Sequence, residues 1–224
     1  MKRNVNKVIR NDIQGLRALS VLSVIMFHSG LGFVSGGFLG VDIFFAISGF
    51  LMTSILWSDL ETGTYSFKVF FLRRVRRIMP ATFMTLGLTV IASWFILLPK
   101  NFEDLTDVLG ASVLLLSNAV LMNQSSGYFA ETLETHPLLH LWSLSVEEQF
   151  YLFFPVLMLI VYKLKKPIGL ALLLTVFLGS LILSEWYYDT SPSATFFHLP
   201  FRMFEFLAGA FAFLYAKTPR PAVF

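Results

Sequence analysis

A few ionisable residues stand in a chain rich in apolar side chains, and their types and spacing suggest general-base chemistry on a hydroxyl and the binding of phosphates. Arg17 and His28 are eleven positions apart, close to three helical turns, so on a helix they share nearly one face about 16 Å apart along the axis. Gly36-Gly37 offers a tight turn, and Asp42 follows five residues later at a depth similar to that of His28. An antiparallel hairpin brings that acid and that imidazole within reach. A carboxylate that fixes the tautomer of a histidine makes it a general base for a hydroxyl nucleophile. Arg17 snorkelling to a membrane boundary, and a His–Asp pair that only tightens helix packing, are the plainer readings of these residues.

Four arginines crowd into five positions at Arg73, Arg74, Arg76 and Arg77. At i,i+3 and i,i+4 spacing their guanidinium groups can converge on one polyanion. Phosphates of a soluble donor and anionic lipid headgroups both fit that description. Farther on, Glu147 and Glu148 lie in the middle of an apolar run with no local base to neutralise them. Arg202 and Glu205, at i,i+3, read as an ion pair of their own. His136 and His140 have a spacing that zinc could use, but no third ligand accompanies them and Pro137 reads as a helix start, so no metal is expected.

The elements that position these groups are transmembrane helices. Of the 224 residues 56% are hydrophobic and 14% charged, and the mean hydropathy of +0.71 is far from that of soluble domains. Ala81 to Leu98 and Pro167 to Ser184 carry no charge over eighteen residues, enough to cross about 30 Å of hydrocarbon. The apolar runs predict an all-α, polytopic bundle with spans at 13–34, 37–57, 80–98, 136–162, 167–185 and 196–216. A seventh stretch, 105–122, is diluted by Thr106, Asp107, Gly110, Ser112, Ser117 and Asn118, and is read as a re-entrant or interfacial helix, with seven spans the alternative. Six spans put fourteen of the seventeen Lys and Arg residues on one side, in the N-terminal tail, 58–79, 163–166 and 217–224. By the positive-inside rule that side is the cytoplasm. The pI of 9.2 then reflects loop charge rather than nucleic-acid binding. Without cysteine, thiolate chemistry and disulfides are excluded.

Five ordered blocks resemble the acyltransferase-3 family of bacterial membrane proteins. They are Arg17 with His28; Gly40 to Leu51; Arg74 with Arg77; Trp142 to Tyr151; and Arg202 to Gly209. The resemblance implies a domain of roughly ten helices in the bacterial inner membrane, N-terminus cytoplasmic. Such a domain takes acetyl-CoA or another acyl-CoA as donor and modifies a hydroxyl of a cell-envelope carbohydrate. It also implies site roles: His28 as the base, Arg17 in the same site, and Arg74 and Arg77 on the donor. Together with the reading of the residues themselves, the expected catalytic set is His28, Asp42, Arg17 and Glu147, and the expected donor-binding set is Arg73, Arg74, Arg76 and Arg77. Partners are then acyl-CoA, a carbohydrate acceptor and the bilayer. Residues 1–224 read as the N-terminal part of that domain, the family's further helices being absent from the sequence. The competing expectations are a truncated regulatory homologue and a transporter that does no chemistry.

Overall fold

The computed structural model describes residues 11–29, 35–125 and 136–217. Among them the chain forms nine helices and no strand: α1 (Asn11–His28), α2 (Leu39–Glu61), α3 (Phe67–Ile96), α4 (Pro99–Val113), α5 (Ser117–Ser125), α6 (Leu141–Lys163), α7 (Lys166–Tyr188), α8 (Pro192–Phe197) and α9 (Leu199–Lys217). Prolines mark several starts, at Pro99, Pro167 and Pro192, where the missing N–H costs nothing. Between α2 and α3, Gly63 takes φ +64°, and the backbone N–H of Thr64 reaches back to the carbonyl of Asp59 at 2.9 Å.

Among the described residues, five helical segments are long and apolar enough to cross a membrane: α2, α3, α6, α7 and the continuous stretch Pro192–Lys217 that holds α8 and α9. The chain is a multi-pass membrane protein, with one qualifying segment fewer than the six expected. The difference is α1, whose eighteen residues include Asn11, Asp12, Gln14 and Arg17 in the first two turns. The predicted span 13–34 ends as helix at His28, and residues 30–34 lie outside the described residues.

α3 corrects a second expectation, because it starts at Phe67 rather than at residue 80. The arginine run belongs to this helix, which continues through Pro80 although that residue offers no N–H to the carbonyl of Arg76. Residues 105–122 are not one helix. α4 has fifteen residues and α5 nine, and the chain breaks between them where Leu115 adopts φ 60°. Neither piece reaches the length of a span. Polar ties hold α5 inward: Asn118 Nδ2 donates to the Phe197 carbonyl at 3.0 Å, and Gln149 Nε2 donates to Asn118 Oδ1 at 3.0 Å.

α2 is the centre of the bundle, packed against α1, α6 and α9. A Cβ on Gly49 would lie 1.9 Å from the Phe206 carbonyl oxygen, and one on Gly209 would lie 1.8 Å from that of Ala46. Only glycine lets α2 and α9 approach backbone to backbone, the small-residue packing by which membrane helices associate without hydrophobic drive. Phe206 stacks on both Phe45 and Phe150, at 4.5 and 4.2 Å between ring centroids, to form the heart of the core.

Candidate active site

Two cavities lie in series along the α1, α2 and α6 faces. The larger, about 450 Å³, is lined by Arg17 from α1, Ser48 from α2, Arg74 and Arg77 from α3, and Glu147 and Tyr151 from α6. Four of the eight sequence-predicted site residues therefore share one compartment. Arg73 and Arg76 do not line it and are exposed. The reason is helical phase: Arg74 and Arg77, three apart, occupy one face, and the other pair is turned about 100° from it. Arg74 is held in place by aromatic rings, its guanidinium 4.7 Å from the ring centroid of Tyr151 and 5.9 Å from that of Phe70. It also approaches Met52 Sδ at 3.7 Å.

Glu147 is buried, and the hydroxyls of both Ser48 and Tyr151 donate to its Oε1. Neither hydroxyl was singled out as a site residue from sequence. Tyr151 could have been, since it lies four residues after Glu147 on the same helix face. Ser48 reaches this carboxylate from another helix, a contact that no local spacing reveals.

The second cavity, about 290 Å³, is lined by Ser20, Val24, His28, Phe44, His140 and Ser143 among others. Arg17, Val21, Val24 and His28 follow at i, i+4, i+7 and i+11, so one stripe of α1 serves both compartments. At their junction the Arg17 guanidinium lies 5.2 Å from the ring centroid of Phe44. His28 Nδ1 is 2.9 Å from the carbonyl oxygen of Val24. A carbonyl can only accept, so Nδ1 carries a proton, and in the neutral ring the lone pair is on Nε2. The imidazole of His28 meets that of His140 edge to face, 5.0 Å between centroids at 82°. His140 lies in the turn ahead of α6, where desolvation, and then the neighbouring His28, push its pKa below the usual histidine value. His136 is turned elsewhere, its Nδ1 accepting from the backbone N–H of Leu138 at 3.2 Å. No group of three His, Asp or Glu side chains among the described residues is arranged to hold a metal.

The expected pairing of Asp42 with His28 is not formed. Asp42 accepts a hydrogen bond from Arg202 Nη2 in an ion pair, and Arg202 Nε lies 3.1 Å from Glu205. The Arg202–Glu205 pair was legible from spacing, but its extension to Asp42 was not. The glycine contact of α2 with α9 brings a permanent cation to Asp42, and the carboxylate pairs with that guanidinium instead of an imidazole. The backbone of α1 thus sets the tautomer that Asp42 was expected to set.

These observations meet an independent comparison. The family described as "Acyltransferase domain" matches residues 10–223. Peptidoglycan O-acetyltransferase OatA of Listeria monocytogenes is 38% identical over 214 residues, which cover 91% of this chain and 34% of that protein. The Bacillus subtilis protein named "Putative peptidoglycan O-acetyltransferase YrhL" is 36% identical over 205 residues, covering 88% and 32% of the two. This chain thus spans about a third of the length of these curated relatives. No solved structure matches it. With almost the whole of its length inside the family's bounds, the chain belongs to the family of the membrane acyltransferase domain.

Proposed function

We propose that this chain is the donor-binding and transfer region of an enzyme that moves an acetyl group from acetyl-CoA in the cytoplasm to a hydroxyl of a cell-envelope glycan, with peptidoglycan favoured by the names of its relatives. The observation that carries this reading is the serial arrangement of the two cavities, with Arg74 and Arg77 in one and His28 in the other. Arg17 and His28 lie about 16 Å apart along α1. The pantetheine arm of coenzyme A, equivalent to about four or five extended residues, reaches roughly 15 Å. Phosphates bound by Arg74 and Arg77 leave the arm to pass Arg17, Glu147, Ser48 and Tyr151, whose polar groups suit its amides, and the thioester arrives in the His28 compartment.

There the acceptor hydroxyl gives its proton to Nε2 of His28 as its oxygen bonds to the thioester carbonyl carbon. The carbon–sulfur bond breaks, and the leaving thiolate takes the proton from the imidazolium. Asp42 acts at a distance in this scheme, as the brace that holds Arg202 and α9 against α2. Two of the four arginines, Arg73 and Arg76, remain for the headgroups of the cytoplasmic leaflet. The orientation follows the charge bias of the loops, with the N-terminus on the cytoplasmic side of the bacterial inner membrane.

The test is transfer of labelled acetyl from acetyl-CoA to cell-wall glycan by the full-length enzyme in proteoliposomes. His28→Ala lowers kcat by about 10²–10⁴, the range for loss of a general base, while the protein stays inserted. Undiminished transfer by that variant removes His28 from the reaction.

A further inference from the structure

Acyl transfer needs two things at the reacting carbon: a base for the incoming hydroxyl and a donor for the charge that builds on the carbonyl oxygen. The small cavity supplies the base in His28, and its lining offers few candidates for the donor. Ser20 Oγ donates to the Leu16 carbonyl at 2.8 Å, and Ser143 Oγ to the His140 carbonyl at 3.1 Å, so both hydroxyl protons are engaged within their own helical turns. Val24, Ile25, Val41 and Phe44 have none to give. His140 remains. Its imidazole lines the same cavity, 5.0 Å from that of His28, and forms no hydrogen bond among the described residues.

We propose that His140 is a second catalytic residue, whose ring N–H donates to the thioester carbonyl oxygen as the tetrahedral intermediate forms. The inference rests on the reading of His28 as the base. As the acceptor oxygen bonds to the carbonyl carbon, the acceptor proton passes to His28 Nε2 and the carbonyl electron pair moves onto oxygen, where the His140 N–H meets it. That pair then returns, the carbon–sulfur bond breaks, and the thiolate departs with the proton held by His28. His140 ends the cycle with the proton it began with. A neutral imidazole suits this role, because a second cation 5 Å from His28 would oppose protonation of the base.

The experiment uses the full-length enzyme in proteoliposomes with labelled acetyl-CoA and cell-wall glycan. His140→Phe keeps a ring against His28 but removes the N–H, and His140→Gln restores a donor that does not titrate. The expected result is a kcat about 100-fold lower in His140→Phe, the scale for losing one oxyanion donor, with KM for acetyl-CoA changed less than threefold and at least tenfold of the rate recovered in His140→Gln. A His140→Phe enzyme within threefold of wild type overturns the assignment, as does a His140→Gln enzyme no faster than His140→Phe. His28→Ala, run in parallel, separates the two claims: its loss of transfer keeps the base in place when the His140 assignment fails, and its full activity overturns both.

Discussion

Arg73 and Arg74 are neighbours in the chain, yet only Arg74 lines the larger cavity, and kinetics can read that difference. Arg74→Ala and Arg77→Ala are expected to raise KM for acetyl-CoA by about 10- to 100-fold, the loss of one charge-assisted hydrogen bond each. Arg73→Ala and Arg76→Ala are expected to stay within about twofold, as surface charges do. Equal effects from all four substitutions would mean that the cluster acts as diffuse charge. Asp42 gives a second test at this scale. A carboxylate that steadied the imidazolium of His28 would move the acid limb of the pH–rate profile when removed. With Asp42 bound to Arg202 instead, Asp42→Asn leaves that limb in place and lowers thermal stability in detergent, because a largely buried guanidinium loses one of its two carboxylates.

Among the elements, the α2–α9 crossing and the α4–α5 break make opposite demands on side chains. At Gly49 and Gly209 any Cβ meets the backbone of the other helix, so Gly49→Leu or Gly209→Leu is expected to abolish the folded, monodisperse protein in size-exclusion chromatography. At Leu115 the strain runs the other way. A leucine at φ 60° costs about 1–2 kcal/mol, and Leu115→Gly is expected to raise the melting temperature or leave it unchanged. Hydropathy made five of the six predicted spans legible, since an apolar helix-length run with at most two charges has few alternatives to crossing a bilayer. It placed the start of α3 thirteen residues too late, because Arg73 to Arg77 look like loop charge to an average over a window. The approach of Ser48 and His140 to their partners was beyond reach for another reason: both contacts join different helices, and spacing along one helix says nothing about its neighbour.

For the whole molecule, orientation is the property that the loop charges predict and labelling reads. The sequence contains no cysteine, so single cysteines report sidedness without background. Lys165→Cys, between α6 and α7, is expected to react with an impermeant maleimide only in inverted vesicles, and Asp189→Cys, after α7, only in right-side-out cells. The reverse pattern would put the arginine-lined cavity on the outside, away from cytoplasmic acetyl-CoA. Arg17, Arg74, Arg77 and Glu147, drawn from three separate motifs, meet around one cavity. Spacing along the chain does not show that Arg17 lines one cavity and Phe44 the other, with 5.2 Å between guanidinium and ring centroid.

The glycine crossing has a mechanical side as well. Where two backbones touch there is no cushion of side chains to compress, so α2 and α9 behave as a single fixed post.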